Sequence, residues 1–257
     1  MVPYIGITDF MFPRQARIML ELFETLSLGI HHKLMVGVMM SRKTLNGLPT
    51  SWSNVFPATD DVAGVFMPHR LAFNTIHYAD YEGLDFADNL IRVVAYGGKN
   101  LYAIQLDMTW PDPRVIFAMK AVRPDLQFIL QVGRSALEEV DDDPFAVVTK
   151  LQSYLPSLDF VLLDRSMGQG RPLDADDLRR FIVAIKDQLP ALGIAVAGGL
   201  GHKSLHLVKT LVTEFPDLSL DAQGKMRLSG KLQDPINWTI AAMYLAQATK
   251  MFRIASS

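Results

Sequence analysis

The strongest constraint on this chain is an eightfold alternation of short apolar runs, strand-like in length, with segments whose apolar residues recur at helical spacing. The runs are VPYIGI (2–7), KLMVGVMM (33–40), NTIHYA (74–79), LYAIQL (101–106), LQFILQV (126–132), DFVLL (159–163), GIAVA (193–197) and LSL (218–220). Between them, Leu178, Phe181, Ile182, Ile185 and Leu189 make one apolar helix stripe, and Ile236, Ile240, Met243 and Tyr244 close the pattern with an eighth helix. Strand–helix alternation implies parallel strands joined by right-handed crossovers. Eight units predict an α/β fold, a single (β/α)8 TIM barrel over residues 1–257, with a doubly wound open sheet as the alternative. A chain of 257 residues, 49% of them hydrophobic, can fill such a core. The irregular stretch SRKTLNGLPTSWSNVFPATDD (41–61) follows the second strand as an extended loop, either a lid or a plain surface excursion.

Charge and composition exclude several classes. A net charge of -2 without a Lys/Arg block leaves no footprint for nucleic acid or an anionic membrane surface. No apolar run is long enough to span a bilayer, and MVPYIGITDF lacks the basic start and apolar stretch of a signal peptide. The absence of cysteine removes disulfides, thiolate metal sites and thiol nucleophiles, and fits a reducing compartment. The expectation is a soluble cytoplasmic protein without nucleic-acid or membrane partners; a homo-oligomer is compatible with this composition.

In a barrel, chemistry sits where strands end and βα loops begin. Those ends carry Asp9, the Ser41–Arg42–Lys43 triplet, Asp80, Asp107, Arg134, Asp164 with Arg165, the AGGLG turn, and Asp221 followed by Gly224. One aspartate alone reads as a helix N-cap or an Asx turn. Several converging on an apolar mouth repel one another, which raises pKa values toward neutrality. Period two puts Gln105 on the side of Asp107 and Tyr78 on the side of Asp80, and both pairs are expected to face the lumen or mouth. His77 then falls opposite Asp80, so no metal site is expected on that pair and His77 reads as a hydrogen-bonded structural residue. In AVAGGLGHKS (195–204), Gly198, Gly199 and Gly201 precede a helical pattern, which suits backbone N–H groups cradling a phosphate; a tight turn is the plainer alternative. The EEVDDDP run (138–144) reads as a solvated helix start or turn, and Trp52 and Trp110 as rim packing or stacking platforms.

The stretches DFVLLDRSMGQGRPLD, AVAGGLG and LDAQGK, with VPYIGITDF and AIQLD further upstream, resemble phosphoribosylanthranilate isomerase of the ribulose-phosphate-binding barrel superfamily. The resemblance implies that Asp164 is the general acid that protonates the ribose ring oxygen in an Amadori rearrangement. It also implies phosphate loops at Gly198, Gly199, Gly201, Gln223 and Gly224, with Gly168, Gly170 and Arg165 in the preceding loop, and an Arg42 contact to a substrate carboxylate. It departs at Ile5, which occupies the position of the family's catalytic cysteine; an aliphatic side chain cannot act as a base. Asp107 stands where the family has a histidine and supplies a carboxylate base. Asp9 shares the strand parity of Ile5, but four extended residues span about 13 Å, so it substitutes only if the chain turns back.

Three functions follow. The first is a phosphosugar isomerase of the intramolecular aldose–ketose type, with Asp164 as acid, Asp107 or Asp9 as base, a phosphorylated small-molecule substrate and no cofactor; strict phosphoribosylanthranilate isomerase activity is not expected with Ile5 in place. The second is a noncatalytic phosphometabolite-binding barrel. The third is a metal-assisted epimerase or a lyase, and a Schiff-base lyase would need a lysine inside the barrel, where the apolar runs place none.

Overall fold

Each apolar run forms a strand in the computed structural model, which describes residues 1–164 and 173–256. The strands are β1 (Tyr4–Thr8), β2 (Lys33–Ser41), β3 (Ala72–Ala79), β4 (Ala103–Asp107), β5 (Gln127–Val132), β6 (Phe160–Asp164), β7 (Gly193–Ala197) and β8 (Ser219–Ala222). They pair in sequence order, all parallel, and β8 closes on β1 through Ile5, Gly6 and Ile7. The fold is a TIM barrel. Its α-helices are α1 (Pro13–Leu26), α2 (Arg42–Leu45), α3 (Val62–Val65), α4 (Phe86–Gly97), α5 (Pro113–Val122), α6 (Arg134–Glu138), α7 (Pro144–Gln152), α8 (Ala175–Gln188), α9 (Lys209–Glu214) and α10 (Trp238–Ala255). None among the described residues is long and apolar enough to cross a membrane.

The helices bury the stripes their spacing implies, with one rotation. In α8, Leu178, Phe181, Ile182 and Ile185 are buried. In α10 the buried face is Ala241, Tyr244, Leu245, Ala248 and Phe252, while Met243 is 45% exposed, because the alanines let the helix approach the barrel more closely than a methionine edge would.

The strands separate two apolar layers. Ile5, Ile7, Leu34, Val36, Ile76, Tyr78, Ile104 and Leu106 belong to the layer between strands and helices. Tyr4, Met35, Phe73, Ala103, Ile129, Phe160, Leu162 and Ala195 fill the lumen. Tyr4 lies 5.3 Å from Phe73 and 5.4 Å from Phe160, ring centre to ring centre, so the N-terminal end of the barrel is plugged by aromatics. Burying each such ring stabilises by roughly 1.5–3 kcal/mol.

Counting by two from this plug corrects the expected facing of β3. Phe73 is in the lumen, so Thr75 and His77 are too, while Tyr78 packs outward with no exposure. Asp80, beyond the strand end, accepts from Tyr78 Oη at 3.2 Å and from the backbone N–H groups of Glu82 and Gly83, an Asx-type turn that shapes the β3–α4 loop. Both faces of these strands are buried, so alternation offers no polar contrast to assign the lumen side. The pairing of Gln105 with Asp107 holds: both lie two and four residues beyond lumenal Ala103.

Residues 41–61 fold inward over the barrel mouth. Ser41 caps α2 by accepting from the Thr44 N–H, and Val55 and Phe56 pack on Met39 with Trp52 against them. The acidic run closes α6 and opens α7, where Asp143 caps the helix through the Phe145 N–H.

Candidate active site

The lumen changes from apolar to polar one layer above the aromatic plug. There His77, Gln105, Asp107, Gln131, Asp164 and Asp221 project from five adjacent or facing strands into a cavity of about 750 Å³ at the C-terminal ends. Four of them form a hydrogen-bonded arc with the carboxylates. Gln131 Nε2 donates to Asp164 Oδ2 at 3.4 Å, and Gln105 Nε2 donates to Gln131 Oε1 at 3.0 Å. Gln105 Nε2 also lies 3.1 Å from His77 Nδ1, and His77 Nε2 lies 3.5 Å from Asp107 Oδ2. Tyr81 closes the arc from the β3–α4 loop, its hydroxyl donating to the same Asp107 oxygen at 2.6 Å.

In the neutral tautomer, His77 donates from Nε2 to Asp107 and accepts at Nδ1 from Gln105. Protonated His77 needs an acceptor at Nδ1, and Gln105 Oε1, buried without a partner, supplies one if the amide turns over. Burial pulls the His77 pKa down, but the hydrogen bond and charge of Asp107, joined by the charges of Asp221 and Asp9, raise it overall. Burial lifts the Tyr81 hydroxyl well above its ordinary range, with Asp107 and Asp164 adding to it, so Tyr81 remains a donor.

Asp221 is the third lumenal carboxylate. A Cβ on Gly6 would stand 2.7 Å from its Oδ1 and 2.8 Å from Met35 Cε, so only glycine leaves the niche it occupies. Thr8 Oγ1 donates to that oxygen at 3.3 Å. Burial raises its pKa to about 6, His77, Thr8 and Gln105 oppose the rise, and the Asp164 charge adds to it.

Asp107 and Asp164 thus face one cavity, together with Arg42, Gly198, Gly199, Gln223 and Gly224. Arg42 Nη1 pairs with Glu82 at 2.6 Å. Gly198 and Gly199 have φ of 108° and 65°, conformations that a side chain resists, and they bend the chain over the mouth. No α-helix starts at that turn: a single 3-10 turn (Leu205–Val208) leads into the six-residue α9, so anion affinity there would come from local N–H groups and nearby lysines rather than a helix dipole. Gly201 does not line the cavity; its missing side chain lets the chain pass Lys225, whose Cβ a Gly201 Cβ would meet at 2.6 Å. Arg165, Gly168 and Gly170 lie outside the described residues.

Asp9 is held apart from this group. Its carboxylate forms a fully buried ion pair with Arg227 and accepts from Gln223 Nε2 at 2.9 Å. Burial raises its pKa against the pull of Arg227 and Gln223. Arg227 also donates to the carbonyls of Asp234 and Gln223, so the pair ties the β8–α10 loop to the end of β1. Ile5 lies in the strand–helix layer, outside the lumen.

The strand-end rule found three carboxylates of this site and missed four groups. His77 and Gln131 lie before their strand ends, Tyr81 lies beyond its strand in a loop, and Lys225 follows a glycine whose role was read from backbone alone. Lys43 and Lys225 line the cavity, and neither forms an ion pair among the described residues. No three His, Asp or Glu side chains are grouped for a metal ion among the described residues.

No family model and no curated protein matches the chain. Among solved structures it is similar to N-(5'-phosphoribosyl)anthranilate isomerase from Pyrococcus furiosus, with a TM-score of 0.60 and 14% identity over 96% of this chain and 99% of that one. It is also similar to the active domain 2 of a thermostable chitinase from Pyrococcus furiosus, with a TM-score of 0.58 and 10% identity over 97% and 96%. At these identities the likeness extends to the barrel fold.

Proposed function

We propose that this protein is an isomerase that moves protons within a phosphorylated sugar derivative. The observation that carries the reading is the arc from Asp107 through His77, Gln105 and Gln131 to Asp164, which puts two differently solvated carboxylates on one cavity wall. Across the mouth stand the Gly198–Gly199 turn, Gly224 and the cations Lys43 and Lys225, which suit a phosphate.

In this reading Asp164, in its acid form, gives a proton to the ring oxygen as the C1–O bond breaks. Asp107 then takes the C2 proton of the open-chain species, and the enol collapses to the ketose. Tyr81 and His77 hold the Asp107 oxygen in place, and Asp9 serves the loop through Arg227 rather than acting as base. A second reading, a barrel that binds phosphometabolites without turnover, is favoured by Ile5, whose burial outside the lumen leaves the position matched to a family base without a function there.

The test incubates the protein in D2O with ribose 5-phosphate, ribulose 5-phosphate and N-substituted phosphoribosylamines, reading loss of the C2 proton by NMR and ligand stabilisation by thermal melting. Exchange that falls at least about 100-fold in both Asp107→Asn and Asp164→Asn supports the isomerase. Stabilisation without exchange selects the binding barrel, and neither effect with any phosphorylated sugar rejects both.

A further inference from the structure

A second cavity of about 400 Å³ opens beside the first, between the β3–α4 and β4–α5 loops. The two share Asp80, Tyr81 and Glu82, so one wall of each is the same short stretch of chain. Its remaining walls include Phe86, Met108, Trp110, Pro111 and Val115.

The polar groups of these walls are already engaged. Trp110 Nε1 donates to the Ala136 carbonyl at 3.0 Å, and the Pro111 carbonyl accepts from Tyr154 Oη at 2.6 Å. Asp80 is used in the Asx turn, Glu82 pairs with Arg42, and Asp112 pairs with Arg114 at 2.7 Å. A visiting group therefore meets mainly ring and aliphatic surface, with no uncompensated charge offered to it. The Tyr81 ring, 70% exposed, stands at the divide with its hydroxyl on Asp107, so a molecule seated against Asp107 has this cavity as its nearest apolar neighbour.

We propose that this second cavity is a binding subsite for an uncharged, flat apolar group carried by the substrate, beyond the phosphate and sugar held in the first. The attribution to a phosphorylated substrate rests on the function proposed above, whereas the subsite rests on the cavity itself. Contact with Trp110 and Tyr81 would fix the orientation of the sugar over Asp107, because a group anchored at both ends retains little rotational freedom.

The experiment uses 5-fluoroindole as probe, followed by fluorine NMR, on the natural protein and on Ala87→Phe and Val115→Phe, which fill the cavity from α4 and α5 respectively. Melting temperatures of both variants verify that they are folded, and inorganic phosphate is titrated separately. The subsite predicts saturable binding that weakens about tenfold in each folded variant and persists in excess phosphate. Equal affinity for natural and filled proteins overturns it, as does displacement of the probe by phosphate, which would seat the probe in the first cavity. Tighter binding of 4-fluorobenzylammonium than of 5-fluoroindole overturns the uncharged character. If phosphate itself fails to stabilise the protein while the probe still binds as predicted, the phosphosugar reading falls and the apolar subsite stands.

Discussion

Replacing Asp221 with asparagine should stabilise the protein, and by an amount that depends on pH. The carboxyl titrates at about 6 in its niche, against an ordinary 3.8. At about 1.36 kcal/mol for each pH unit, the difference comes to about 3 kcal/mol. The sign follows from which state holds the proton. Between pH 4 and 6 the folded protein binds a proton that the unfolded chain has released, so stability is fully present below the ordinary pKa and is lost as pH rises through 6. Asparagine keeps an oxygen for Thr8 Oγ1 and carries no charge to desolvate. In urea denaturation, the stability gained by Asp221→Asn should grow by about 2 kcal/mol between pH 4.5 and pH 7.5, because part of the loss is already complete at the lower pH. At the higher pH the melting temperature should rise by roughly 6–12 °C. Other carboxylates change the stability of both proteins alike and cancel in the comparison. A gain that does not vary with pH, or a variant less stable than the natural protein at pH 7.5, would show that burial of this charge does not govern its titration.

Other perturbations separate structure from chemistry. Arg227→Ala should cost about 3–5 kcal/mol in urea melts by stranding the buried Asp9 carboxylate, and the double variant Asp9→Asn/Arg227→Met should recover most of it. Equal losses in the single and double variants would contradict that account. Tyr81→Phe should change stability by no more than about 0.5 kcal/mol, since the ring is largely exposed. By freeing the Asp107 oxygen for His77, it should raise the imidazole pKa still further, read from histidine NMR titration; a fall would show that the two donors do not compete. Gly198→Ala, forced to φ of 108°, should lose more than about 1 kcal/mol and also weaken phosphate binding, whereas Gly47→Ala, at φ of 64° in open space, should leave phosphate binding intact.

Much of the architecture was legible in the residue pattern. Eight apolar runs separated by helix-period segments admit few arrangements, since buried parallel strands must be covered on both faces and their crossovers share one hand. The glycines at 198 and 199 announced a chain reversal that other residues resist, and Asp107 and Asp164 were found because a barrel collects its strand ends at one mouth. Tertiary structure decided the rest. His77 and Tyr78 are neighbours in sequence, yet one faces the lumen and the other the helices, because both sides of β3 are equally buried and nothing in the alternation marks the difference. Asp9 and Asp107 both stand at strand ends, yet Asp9 is claimed by Arg227, a partner 218 positions away, while Asp107 is left facing the cavity. The raised pKa of Asp221 likewise depends on Gly6 making room for it across the seam where the barrel closes. Local sequence determined which segments are strands and helices because backbone and hydrophobic periodicity act over a few residues; charge pairing and solvation act through space, and only closure of the barrel brought those groups together.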